Sequence, residues 1–377
     1  EAAQLLGGSP LRNIARVLLP QARHSIAAGT MLVFLYALSD FGAVSLMRFD
    51  TITRAIYSAR LFDQATSLTL GLMLAILAIV VVGLERAAQR RRPAGESVGA
   101  RQITYPLGKL RAPTQLFAAT VAGVSLAAPL AVFVTWVLRG SATVGAGYSG
   151  WGDSLAFLLG PTLNSALVAI VAGAAAVIVV LPVAYASVRR RTRTAEAATA
   201  AVTSVFALPG LVVALAVVFW AIQAPGPLAA LYQSYPLLIL GYVLHFGAQA
   251  MRAGAAAVAA VPLRYDEAGR TLGAGTRRRF FTIELPLLAP GLGAAAGLVL
   301  LSTMKELPAT LLLAPTGFRT LATRIWGAAE DGFYAEVGIT SLVLLLVSTV
   351  LTWFLILRPE LGSLPSRRHG ARPTPNR

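Results

Sequence analysis

EAGRTLGAGTRRRFFTIELP (267–286) restates, 266 positions downstream, the phrase EAAQLLGGSPLRNIARVLLP (1–20) with which the chain opens. Seven of the twenty positions are identical: Glu1/Glu267, Ala2/Ala268, Leu6/Leu272, Gly7/Gly273, Arg12/Arg278, Leu19/Leu285 and Pro20/Pro286. Each copy divides at its glycine into two short helices. In the second copy, Asp266 is expected to cap a helix opening at Glu267, whose acid sits where the helix dipole favours negative charge. Gly273 supplies a positive-φ helix end. Ser9 with Pro10 in the first copy, and Thr276 in the second, are expected to cap the following helix, and Pro20 and Pro286 to accompany the turn into the next span.

The surroundings of the phrase are apolar. The 377 residues are 56% hydrophobic and 13% charged, with a mean hydropathy of +0.70, too few charges to cover a soluble surface. Eight stretches, 25–46, 66–84, 116–138, 162–187, 201–222, 232–251, 289–313 and 337–357, are expected to cross a bilayer as helices, which takes about 20 residues each. The fold class is therefore an all-α polytopic membrane bundle.

Six spans lie between the two copies, an even number, so both copies face the same side and the halves are parallel repeats. The net charge of +16 is distributed to match. Twenty-five of the 32 Lys and Arg fall before residue 25, at 85–115, 188–200, 252–288 and after 357, whereas the opposite loops hold Arg48, Arg54, Arg60, Arg139, Arg319 and Arg324. That asymmetry is the positive-inside rule and makes the repeated phrases cytoplasmic. The arginine runs read as topology signals and contacts with anionic membrane lipid, so no nucleic-acid partner is required.

Several chemistries are excluded. Without cysteine there is no disulfide, thiolate metal site or cysteine nucleophile. His24, His245 and His369 show no ligand spacing, and a lone His245 within a span reads first as a packed or hydrogen-bonded interior residue. No phosphate-binding loop, Walker sequence or hydrolase triad motif occurs. No catalytic residue, metal site or cofactor is assigned, and the chain does not read as an enzyme.

The spacing Glu-Ala-x-x-x-x-Gly, followed after twelve residues by Pro, resembles the EAA loop of the membrane permeases of bacterial ABC importers. In that family the loop is the coupling helix that docks into a cleft of the cytoplasmic ATPase. The resemblance implies that Glu1, Ala2, Gly7 and Pro20, with Glu267, Ala268, Gly273 and Pro286, form two ATPase-coupling sockets, one for each of two ATP-binding subunits. Gly269, where alanine is usual, costs about 1 kcal/mol of helix propensity. An amphipathic elbow lying in the membrane interface is the plainer reading, but it would not need Glu, Ala, Gly and Pro at unchanged spacing.

Each phrase leads into an interrupted span, SDFGAVSL (39–46) and KELPATLL (305–312), in which Asp40 corresponds to Glu306, Gly42 to Pro308 and Ala43 to Ala309. Further on, DTITRAIY (50–57) matches RTLATRIW (319–326). A carboxylate at the edge of an apolar span, two residues before a helix breaker, suggests a cavity or gate. Asp40, Lys305 and Glu306 are the candidate substrate-pathway residues. In the competing reading Lys305 neutralises Glu306 and the breaker only ends the helix.

The wording of 302–326 and 38–57 is similar to the ferric-iron branch of these permeases. This implies a type I ABC importer permease in the bacterial inner membrane, with two ATPases below, a periplasmic binding protein above and iron as cargo. Permeases for thiamine, phosphonate, polyamine and sulfate share the loop. An ion-gradient-driven secondary transporter is a further alternative, though it would not need the repeated cytoplasmic phrase, and a purely structural scaffold is another.

The expected organisation is 1–86, the end of a first permease repeat; 87–113, a cytoplasmic linker; 114–357, a second repeat; and 358–377, a disordered cytoplasmic tail. Four spans precede the second phrase and none precedes the first, so eight of twelve spans are expected here, the chain being read as lacking about four N-terminal helices.

Overall fold

In the computed structural model the structure describes residues 16, 19–60, 62–90, 111–140, 151–190, 192–206 and 208–354. The first phrase up to Leu18, Arg16 excepted, most of the linker and the tail expected at 358–377 lie outside the described residues.

Among the described residues the fold is all helix. The elements are α1 (Leu19–Ser39), α2 (Gly42–Leu46), α3 (Ile52–Ala59), α4 (Gln64–Arg90), α5 (Arg111–Gly140), α6 (Trp151–Arg189), α7 (Arg193–Val205) and α8 (Gly210–Gln223). There follow α9 (Tyr235–Ala260), α10 (Arg264–Thr271), α11 (Thr276–Arg279), α12 (Leu285–Met304), α13 (Pro308–Leu313), α14 (Leu321–Glu330) and α15 (Tyr334–Thr352). Five rods are long and apolar enough to cross a membrane: Gln64–Leu84, Arg111–Gly140, Phe157–Arg189, Thr276–Met304 and Tyr334–Thr352. The pair α7 and α8, bent by 108°, makes a sixth if it counts as one span.

All eight expected stretches are largely helical, but among the described residues five, or six with the bent pair, are long and apolar enough to cross a membrane, fewer than the eight expected. The stretch 25–46 breaks after Ser39 and the stretch 289–313 after Met304, each at the acid noted in the sequence. The stretch 201–222 bends between Val205 and Gly210, where Pro209 cannot continue a helix. The stretch 232–251 is longer than expected, running from Tyr235 to Ala260. Its Pro236 does no damage because it sits in the first turn, behind a cap in which Ser234 Oγ accepts from the Leu237 amide.

The core explains why α9 can carry His245, Gln249 and Arg252. It is enclosed by α6, α7, α8 and α12, and a helix shielded from lipid need not be greasy on every face. Val168, Ala172, Ala176, Val180 and Ala184 of α6 pack there against Leu238, Tyr242, Phe246 and Met251 of α9. Small residues set the spacing: a Cβ on Gly173 would stand 2.6 Å from the Ala296 carbonyl oxygen, and one on Gly291 2.5 Å from the Ala257 methyl. Such close approach is how helices associate where lipid removes the hydrophobic drive. By contrast α5 has no buried residue. It touches the bundle through α15, where Gly140 meets Ala335 and Gly338 meets the Phe133 carbonyl.

The two halves meet through Ile56 and Leu74 of the first and Leu211, Val212 and Leu215 of the second. Segments expected on one side of the membrane also meet: Arg189 donates to the Val261 carbonyl at 2.8 Å, at the end of the bundle that carries α10. At the other end Asn164 donates to the Arg319 carbonyl at 3.0 Å.

Candidate functional site: a cytoplasmic elbow and a convergence of broken helices

The second phrase folds as an elbow. Helix α10 begins at Arg264, earlier than expected, with Leu263 at the N-cap and no side-chain cap bond. Asp266 is therefore not the cap. It lies in the first turn, where the dipole favours its charge, and its Oδ1 accepts from Arg279 Nε at 2.6 Å. The same guanidinium donates to the Ala274 carbonyl at 2.7 Å, closing the turn. Gly273 ends the helix at φ +75°, as expected, with its amide donating to the Arg270 carbonyl. Thr276 is not a cap either: Gly275 holds that place and Thr276 is the first helical residue.

Gly269, which sequence propensity marks as a weakness, has a packing reason: a Cβ there would lie 2.9 Å from Arg279 Cδ and 3.0 Å from Ile283 Cδ1. Nor does Pro286 turn the chain. It sits in the first turn of α12, and Thr276–Met304 continues as one rod through a π turn at Phe280–Glu284. Proline has no N–H to return to the carbonyl four residues back, which loosens the ladder at that point. The π turn presents Glu284 inward, 3% exposed, where it accepts from Tyr185 Oη at 2.8 Å.

Glu267, Ala268, Gly273 and Pro286 are all exposed. Between them Leu272 projects, 87% exposed, an apolar tip on an otherwise charged segment. Sequence reasoning passed over it as a site, although the identity Leu6/Leu272 was the available signal. Glu1, Ala2 and Gly7 lie outside the described residues, and Pro20 is exposed on the first turn of α1.

At the opposite end three interruptions come together. After α1, Asp40 Oδ1 accepts from the Ala43 amide at 3.3 Å; after α12, Glu306 Oε1 accepts from the Ala309 amide at 3.3 Å. The two acids at one repeat coordinate thus restart their broken helices by the same bond, a cap. In each break a threonine hydroxyl satisfies the acid's own carbonyl, Thr53 that of Asp40 at 2.8 Å and Thr310 that of Glu306 at 2.6 Å. Thr51 and Thr320, also repeat equivalents, cap α3 and α14.

The breaks touch across the halves, since a Cβ on Gly42 would lie 3.7 Å from Leu307 Cδ2. Equivalent aromatic residues meet as well: Tyr57 and Trp326 stand edge to face at 5.6 Å, with Phe41 4.8 Å from Tyr57. Residues equivalent in the two halves of the sequence thus stand in direct contact. Tyr57 is pushed up from the ordinary tyrosine range chiefly by burial, partly offset by the Arg60 guanidinium lying 3.4 Å over its ring.

The third interruption is the α7/α8 bend. A Cβ on Gly210 would lie 2.8 Å from Glu306 Oε1 and 3.0 Å from His245 Nε2, so glycine there leaves room for both side chains. Glu306, Asp40 and His245 are half-buried and Lys305 is exposed; among the described residues no ion pair joins Lys305 to Glu306. Neither Gly210 nor His245 could be assigned from periodicity, which cannot say what faces a lone polar residue.

Broken helices thus converge around acids at one end of a bundle whose other end carries the elbow of the second phrase. Residues 178–358 match the family described as the binding-protein-dependent transport system inner membrane component. The chain is 28% identical over 357 residues to the Fe(3+)-transport system permease protein FbpB 2 of Haemophilus influenzae, covering 93% of this chain and 69% of that one. A probable ABC transporter permease, y4fN of Sinorhizobium fredii, is 25% identical over 393 residues, covering 97% of this chain and 68% of the relative. A solved bacterial ABC transporter that imports the acidic polysaccharide alginate gives a TM-score of 0.46 at 14% identity, over 70% of this chain and all of that one, a likeness too loose to carry weight. Residues 178–358 thus carry the likeness to the inner membrane components of binding-protein-dependent transport systems, and the protein is multi-pass in that membrane.

Proposed function

We propose that this permease carries ferric iron, handed over by a periplasmic binding protein, into the cytoplasm, driven by two copies of a cytoplasmic ATPase that dock on the two repeated phrases. The observation that carries the cargo is the pairing of Asp40 and Glu306, each half-buried, at helix breaks that touch across the halves. The relative that transports ferric iron supports the same reading. A trivalent cation needs transient negative potential to enter a low-dielectric passage, yet must be held weakly enough to leave. Two separated carboxylates suit that compromise.

In this reading the chain does no chemistry of its own. The exposed face of α10 with Leu272 enters the ATPase, and Gly273 and the Asp266–Arg279 pair hold the elbow at a fixed angle so that closure below is felt along Thr276–Met304. Lys305, exposed at the break, faces headgroups or the binding protein. The permease organisation at 1–86 and 114–357, joined by a linker, follows from the same repeat.

The test is uptake of ferric iron in membrane vesicles holding the full transporter, with Asp40→Asn and Glu306→Gln. Each variant is expected to slow uptake by about tenfold or more while assembly persists. Wild-type rates in both would make these acids helix caps and nothing else.

A further inference from the structure

The Glu306 carboxylate belongs to a ladder of polar pairs between α9 and the α12/α13 segment. At one end Tyr242 Oη and Thr310 Oγ1 share a hydrogen bond of 2.6 Å, fully buried. One turn further in, His245 Nε2 and Glu306 Oε1 converge on the space over Gly210. A turn beyond that, Ser302 Oγ donates to Gln249 Oε1 at 2.9 Å. Positions 242, 245 and 249 share a face of α9, and Thr310, Glu306 and Ser302 of the broken facing segment come to it in turn. The rungs differ in kind. The first is closed and fully buried, whereas His245, Glu306, Gln249 and Ser302 are each half-buried.

Polar groups placed in a span merely to bind helices together satisfy one another. Here His245 Nδ1 is buried without a hydrogen-bond partner among the described residues. A buried polar atom left that way costs stability unless something else meets it. Gly210 supplies the room, because alanine would fill the space between the two side chains.

Resting on the cation-import reading above, we infer that the route continues inward from Glu306 along the α9 face, past His245 to Gln249 and Ser302. His245 then sets specificity: an imidazole nitrogen and an amide oxygen give a cation successive weak ligands after the carboxylate, and no closed cage forms to trap it.

Because the chain has no cysteine, single cysteines introduced here are read without background from it. Glu306→Cys, Gln249→Cys and Ser302→Cys are made in the full transporter, with its ATPase, in membrane vesicles. They are exposed to a charged, membrane-impermeant methanethiosulfonate with and without ATP, beside Val179→Cys on the exposed outer face of α6. The expected result is labelling at 249 and 302 about tenfold or more faster than at 179 in at least one nucleotide state. Labelling at 306 but not at 249 or 302 overturns the inference and leaves the import reading standing. Labelling at none of the three removes both. In parallel, His245→Gln is expected to lower the iron imported per ATP hydrolysed about tenfold with ATP hydrolysis retained. A structural role would lower both together, and an unchanged ratio refutes the assignment of His245.

Discussion

Arg279→Met probes the elbow with the least collateral change, because the methionine stem keeps the contact over Gly269 and only the guanidinium is lost. Two hydrogen bonds go with it, to Asp266 Oδ1 at 2.6 Å and to the Ala274 carbonyl at 2.7 Å. Charge-assisted bonds contribute about 1.5–3 kcal/mol each. The side chains are 13% and 27% exposed, so partial screening puts the pair at the lower end, roughly 2–4 kcal/mol together. Asp266 is not stranded, since it stays partly solvated at a helix N-terminus. The loss is therefore local. It should raise amide exchange in residues 264–275 by about 30- to 700-fold, at roughly 1.4 kcal/mol per decade, with no change in α9 or α12. Hydrogen–deuterium exchange of the detergent-solubilised transporter measures this, with exposed Arg278→Met as the control. ATP-driven uptake should fall in parallel. Exchange in 264–275 within twofold of the parent would refute the reasoning and leave the elbow's shape to Gly273 and the rod below it.

Gly273→Val places a branched side chain at φ +75°, a strain of about 1–2 kcal/mol, and should weaken ATPase co-purification without altering substrate binding by the binding protein; normal co-purification and uptake would count against the coupling role. Gly173→Ala drives a Cβ to 2.6 Å from a backbone oxygen of α12, which no rotamer relieves, so melting temperature should drop by an amount corresponding to about 1–3 kcal/mol, and an unchanged melt would mean the helices are not in contact there. Asp63 accepts from the Thr66 amide at 3.0 Å and the Thr66 hydroxyl at 2.6 Å, which holds its carboxyl below the usual range. With a depressed folded value, its contribution is present above the unfolded value of about 4 and is lost as pH falls through the lower folded one. Protease protection around residue 63 should therefore persist at pH 5 and disappear under stronger acid, and loss already at pH 6 would contradict the cap.

What could be read from the amino-acid order was whatever depends on local chemistry or on totals. Composition decided for a membrane bundle, and the placement of arginines paired its ends, because both are sums over the chain. The breaks at Asp40 and Glu306 and the helix end at Gly273 were legible because an acid before a helix breaker, or a glycine closing a turn, acts within a few residues. The cap expected at Asp266 failed where a local preference lost to a partner thirteen residues away, Arg279. The same partner turns Gly269 from a propensity defect into a packing requirement. Periodicity says which residues share a helix face but not what that face meets. So only the tertiary structure decided that Tyr57 and Trp326 touch, that the α7/α8 bend arrives beside Glu306, and that His245 stands over Gly210. Those contacts join positions 35 to 269 residues apart, and their geometry is set by how closely small residues let whole helices approach.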